Sequence, residues 1–196
     1  MSPQSGMSAQ LTEIRGGTTL AVPFGRPRVL PSKVLQYELN VVAADTADTV
    51  MSIGGWLFDR AMAGWRVNVA ADEGGDGRAL RILGLKTVGL NALWRSVESD
   101  SVAITAIGTS RAESGDHGLT LRDPVGDVIV FGSRAPGGFG GQVQRVQYHP
   151  SAAALAFKAH ALAIAGADPG SSGAMETLFR CGRSSGLLDA DLVPVC

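Results

Sequence analysis

Apolar and polar residues change period several times along the chain, and each change marks an element. The stretch VLQYELNVVAA, 34–44, is rich in apolar and β-branched residues and predicts a strand. Val50, Ile53, Leu57, Ala61 and Trp65 then recur at helical spacing, as one buried face of a helix over 46–63. Asp45 suits its N-cap, Asp48 places a negative charge in its first turn, and Gly64 suits its C-cap. Gly54 and Gly55 cost helix propensity, but without side chains they let the helix lie close to a sheet. RVNVAA, 66–71, follows as a strand closed by the acidic, glycine-rich turn DEGGDG.

ALRILGL, 79–85, is a further apolar run that predicts a strand, and LNALWRSV, 90–97, a short amphipathic helix. SVAITAIG, 101–108, predicts a buried strand. Strands alternating with helices favour a partly parallel sheet with helical crossovers. In LTLRDPVGDVIVFG, 119–132, Asp123, Pro124 and Gly126 are the residues a type I turn prefers, so an antiparallel hairpin is expected and the sheet becomes mixed. QVQRVQYH reads as a strand, Pro150 and Ser151 open an alanine-rich helix over 151–166, and a second helix is expected over 172–182. The fold class is therefore α/β: a single three-layer domain, 34–196, with a mixed, partly parallel sheet. Residues 1–33 hold four prolines, a basic excess and no apolar period beyond a patch at 20–24, which predicts a flexible, disordered N-terminal arm.

Composition narrows the function classes. Apolar residues make up 45% and charged residues 18% of 196, enough for a real core. A formal net charge of −1 leaves no electrostatic footprint for nucleic acid or an anionic membrane. The N-terminus shows no basic stretch followed by an apolar one, and the longest apolar stretch is broken by Lys158 and His160. A cytoplasmic protein is expected. Cys181 and Cys196 lie in no zinc-binding spacing.

Two constellations carry candidate chemistry. The loop RAPGGFGGQVQR follows a strand, and Arg134 and Arg145 flank Gly137, Gly138, Gly140 and Gly141. Backbone amides and two guanidinium groups could cradle a small anion there. The plainer reading is a hinge in which glycine supplies positive φ; neither GxxxxGK[ST] nor GxGxxG occurs. The second constellation is acidic: Asp45 and Asp48 follow one strand, Asp72 and Glu73 the next. Ligands of open α/β sheets gather outside the carboxyl ends of the strands. If the two strands are parallel neighbours, the four carboxylates share a rim fit for Mg²⁺; otherwise they cap a helix and solvate a turn.

His117, His149 and His160 show no metal-binding spacing. His117, beside Asp116, suits a loop base, His149 a turn, and His160 helix packing. A nucleophilic Cys181 needs a histidine nearby in space, and no GxSxG elbow is present. Trp65 continues the apolar helix face, whereas Trp56 lies off it and is expected at an exposed edge. No catalytic residue or cofactor is assigned. The leading expectation is a non-catalytic module binding a partner protein or a small anionic ligand; the alternative is a metal-assisted phosphate or ester hydrolase using the acidic rim.

Overall fold

In the computed structural model, residues 36–71, 77–93, 101–113, 127–137, 143–182 and 191–195 are described. Strand β1 (Gln36–Ala43) alternates, sending Leu39, Val41 and Ala43 into the main core and Glu38, Asn40 and Val42 to the opposite face. Helix α1 (Thr46–Met62) starts at Asp45, whose backbone is extended and whose side chain accepts the Asp48 N–H at 3.1 Å. It ends where Gly64 adopts a φ of +87°, and the Trp65 N–H returns to the Arg60 carbonyl. Strand β2 (Arg66–Ala71) comes back parallel to β1, pairing Leu39 with Val67 and Val41 with Val69.

Helix α2 (Arg78–Ile82), strand β3 (Lys86–Thr87) and helix α3 (Leu90–Leu93) follow. Strand β4 (Ser101–Gly108) crosses to the other side of β1, leads into helix α4 (Thr109–Glu113), and pairs in parallel with β5 (Asp127–Phe131). Strand β6 (Val143–Tyr148), helix α5 (Ala152–Ile164), strand β7 (Glu176–Cys181) and strand β8 (Val193–Pro194) complete the order. The described strands form one mixed sheet, β3-β2-β1-β4-β5-β7-β6-β8, with β7 antiparallel to both neighbours. Helices α1, α2 and α5 cover one face, and Leu93 of α3 packs on Val42 and Ala70 of the other. The architecture is the expected three-layer α/β. Both edge strands are two residues long, and Pro194 withholds a donor from one of them, which limits pairing with other chains. No described helix is long and apolar enough to cross a membrane.

Three local expectations are corrected. ALRILGL holds helix α2, with Ala79, Leu80 and Leu83 buried on one side, where a strand was expected. The helix expected over 172–182 is strand β7. It runs between β5 and β6 and is buried on both faces, so its sequence ETLFRC lacks the apolar–polar alternation that marks a half-buried strand. Trp56 is fully buried rather than at an exposed edge, because α1 is covered by α5 as well as by the sheet. The expected hairpin turn at 123–126 and the arm at 1–33 lie outside the described residues.

The glycine pair meets something other than a bare sheet surface. A Cβ at Gly55 would lie 2.7 Å from Pro150, and one at Gly54 3.3–3.5 Å from Val50, Leu83 and Lys158. The space freed at Gly55 admits Glu176, the first residue of β7. Its Oε1 accepts from the Gly55 N–H at 2.8 Å and from Lys158 Nζ at 2.6 Å, and its Oε2 accepts from the Trp56 N–H at 2.8 Å. Both side chains of the ion pair are 1% exposed. Burial pushes the Glu176 carboxyl up, and the Lys158 ammonium and the two amides pull it back. Further along α1, Asp59 accepts from the Tyr148 hydroxyl (2.8 Å), the Ser151 N–H (2.9 Å) and the Ser151 hydroxyl (2.7 Å).

Two substitutions test this packing by urea denaturation. Gly55→Ala should cost about 1–3 kcal/mol by overpacking against Pro150. Gly54→Ala should stay within about 1 kcal/mol of wild type, its gain in helix propensity offsetting milder crowding. Lys158→Met should cost about 3–5 kcal/mol near pH 8, because it strands a buried carboxylate. With its cation gone, the folded state holds a proton on Glu176 at pH values where the unfolded chain has released it. Stability then falls as pH rises, so the deficit should shrink towards pH 5. An equal deficit at both pH values would mean that Glu176 is not the group stranded.

Candidate active site at the strand ends

The chain runs outward from β1 to β2 and β3, then returns to lay β4 and β5 on the other side of β1. The order therefore reverses between β1 and β4, and sheets of this kind bind ligands in the crevice outside the carboxyl ends of the strands at such a point. Asp45 follows β1 after a single residue, and Thr109 follows β4 directly. Asp45 is exposed; its Oδ2 takes the Asp48 amide, and its carbonyl accepts the Thr49 hydroxyl at 2.7 Å. Asp48 is half-buried and accepts the Ser52 hydroxyl on Oδ1 at 3.3 Å. Each carboxylate is thus oriented by an internal donor through one of its oxygens.

The other wall is tied together across two loops. The buried Thr109 hydroxyl donates to the Phe131 carbonyl at 2.9 Å. Gly132, with a φ of +142°, passes so close that a Cβ would lie 2.7 Å from that hydroxyl. The bend then carries Arg134 to Glu113 of α4, at 2.5 Å. Thr109, Glu113 and Gly132 carry no motif in the sequence; their roles follow from the register of β4 and β5.

The acidic constellation is met in its first condition. β1 and β2 are parallel neighbours, with Ala43 opposite Ala71, so Asp45 and Asp48 follow one strand end and Asp72 and Glu73 the adjacent one. Asp72 and Glu73 themselves lie outside the described residues. The glycine constellation divides differently. Gly137 is exposed with open space around it, and Gly138, Gly140 and Gly141 lie outside the described residues. Arg134 is engaged by Glu113, while Arg145 is exposed in mid-strand, opposite Phe179 of β7, whose other neighbour is Val130. The loop leads into β6, so no helix N-terminus follows it as an anion cradle would favour.

Among the described residues, no three His, Cys, Asp or Glu side chains come together as a metal site. Among the described residues, the charged donors that follow these strand ends are the carboxylates of Asp45 and Asp48. His149 lies between Tyr148 and Ser151, both bonded to Asp59, and Asp59 is about 20 Å from Asp45 at 1.5 Å per helical residue. His160 is exposed on α5, not packed as expected, and His117 lies outside the described residues. The two described carboxylates are donors of the kind Mg²⁺ takes, one or two together with waters. Cys181 is half-buried, and burial pushes its thiol up to about 11, which leaves almost no thiolate near neutral pH.

No protein-family model and no curated protein matches the chain. Solved structures share its fold. The A40926 pseudoaglycone deacetylase superposes with a TM-score of 0.56 at 13% identity, over 75% of this chain and 98% of that one. A triple mutant of a deacetylase of the teicoplanin biosynthetic pathway does so with a TM-score of 0.50 at 12% identity, over 76% and 99%. The zinc-inhibited form of teicoplanin deacetylase gives the same values, 0.50 and 12%, over 76% and 99%. At these identities the likeness is one of fold. The expectation of a non-catalytic module for a partner protein or small anion is corrected by this likeness, since the structures it resembles are those of deacetylases. The absence of GxSxG and of metal-binding histidine spacings had favoured the module, but the signal lay in the topology.

The state of Cys181 can be measured in a Cys196→Ser variant. At pH 8 its alkylation by iodoacetamide should be on the order of a hundredfold slower than that of a free thiol, from the thiolate fractions at a pKa of about 11 and of about 8.5. A rate equal to that of free cysteine would place the thiol in open solvent.

Proposed function

We propose that the chain is a metal-assisted hydrolase acting on an acyl bond, amide or ester, in the crevice outside β1 and β4, with a cytoplasmic location. The observation that carries this reading is the placement of Asp45 and Asp48 at the reversal point of a sheet whose fold is that of deacetylases. Asp45 and Asp48 would hold a hard cation such as Mg²⁺, with Asp72 and Glu73 as further ligands from the neighbouring strand end. Such a cation supplies polarisation of a carbonyl and a more acidic bound water. The internal hydrogen bonds to Asp45 and Asp48 keep the carboxylates in place before substrate arrives, and the Thr109–Phe131 and Arg134–Glu113 links hold the facing wall.

Asparagine caps a helix as well as aspartate does, so Asp45→Asn removes charge while keeping the cap. Hydrolysis of acyl esters, N-acetylated sugars and, as a contrast, phosphate esters should be followed with Mg²⁺ and with EDTA. Acyl hydrolysis should require the cation and fall at least about a hundredfold in Asp45→Asn with Asp48→Asn, and Mg²⁺ should raise the melting temperature of wild type alone. Full activity in the double variant would remove these carboxylates from the mechanism. Turnover of phosphate esters alone would replace the acyl substrate with a phosphoryl one.

A further inference from the structure

The wall across from Asp45 and Asp48 is tied more closely than its exposure requires. After β5 the chain bends at Gly132, whose φ of +142° favours glycine, and reaches Arg134. The buried Thr109 hydroxyl lies 2.9 Å from the Phe131 carbonyl and 3.3 Å from that of Arg134, so it fixes the backbone on both sides of the bend. Glu113 fixes the side chain, accepting from Arg134 Nη2 at 2.5 Å. The Arg134 side chain is nevertheless 71% exposed, and Glu113 takes one of the five N–H donors of a guanidinium. An exposed ion pair adds little to stability, so what this pair supplies is position. The charged residues of the described segments 109–113 and 132–137 are Arg111, Glu113 and Arg134, whereas the β1 side carries Asp45 and Asp48.

We infer that Arg134 is a specificity-determining residue: it anchors a carboxylate that the substrate carries in addition to its acyl bond. The inference rests on the hydrolase reading of the crevice and names the substrate class, acylated molecules with a free carboxylate. Charge selects this class. The β1 side offers an anion nothing, while the facing segments hold one more cation than anion and suit a single negative charge. The planar fork of an arginine matches the two oxygens of a carboxylate, and the donors left by Glu113 can meet both. Spacing sets the reach. Adjacent strands lie about 4.8 Å apart and β4 separates β5 from β1, so the anchor sits about 10 Å from the acidic pair. About three extended residues span that distance, as in N-acetyl-triglycine.

Ligand-observed NMR titration of the full chain, with Mg²⁺ and at low salt, compares N-acetyl-triglycine with its C-terminal amide. The acid should bind about tenfold more tightly than the amide, and the preference should shrink as salt rises. Arg134→Gln should bring the two Kd values together. Glu113→Gln removes a competing anion, so it should keep the gap or widen it. Equal binding of acid and amide by wild type overturns the inference. So does loss of the preference in both variants, since the ion pair would then only shape the loop. Hydrolysis of the same two ligands is followed separately, and any advantage of the acid should appear in KM. Preference for the acid without hydrolysis removes the catalytic reading and keeps the anchor. Hydrolysis without preference removes the anchor and keeps the catalysis.

Discussion

The carboxylate of Glu176 leaves water where α1, α5 and β7 meet, and every donor it needs comes from the chain itself. Burying an ion costs several kcal/mol even after relaxation, so the arrangement stands only while its partners stay within hydrogen-bonding reach. Those partners come from separate elements: two amides in the middle of α1 and an ammonium on α5. A side chain at position 55 would push Pro150 away and close the space that the carboxylate enters. An apolar cluster of similar volume could be as stable, but it would tolerate sliding, and this ion pair does not. One register of α1 against α5 and β7 satisfies all three donors. A shift of one residue strands a charge.

Registration of α1 carries over to the strand ends. The helix is held at Gly55 and Trp56 by Glu176, and at Asp59 by Tyr148 and Ser151, so its position is set from the middle and the C-terminal half. A helix is stiff over ten residues, and its N-terminus therefore arrives at the crevice in a fixed place. Asp45 and Asp48 depend on contacts about 15 Å away for their location and on local bonds only for their orientation. Burial and the Asp59 carboxylate together push the Tyr148 phenol up to about 12, so its donated bond survives any ordinary alkaline shift.

The sequence reading reached the elements whose signals are local. The Asp45 cap, the Gly64 terminus, β1, β2, β4 and α5 each show a period or a capping residue within a few positions, and each is present. β7 and α2 were misread because tertiary surroundings set their character: a strand buried on both faces loses its alternation, and a five-residue helix never completes a period. The Asp45 and Asp48 pair was visible as acidic residues after a strand. Its place at the reversal of strand order was not, because that reversal between β1 and β4 is a property of the whole sheet. The Lys158–Glu176 pair spans 18 residues and its amide bonds about 120, separations at which no spacing rule operates.

Fold likeness at 13% identity transmits architecture, and the chemistry must be read from the side chains in place. In the described crevice those are oxygen donors, while His149 lies beside the groups that anchor the far part of α1. Drawing His149 to Asp45 would mean breaking the three bonds to Asp59 and unpinning the helix that presents the acidic pair. The same network that positions the carboxylates therefore keeps this imidazole away from them. The described donors at these strand ends are carboxylate oxygens, and His149 is held with the anchor of the far part of α1.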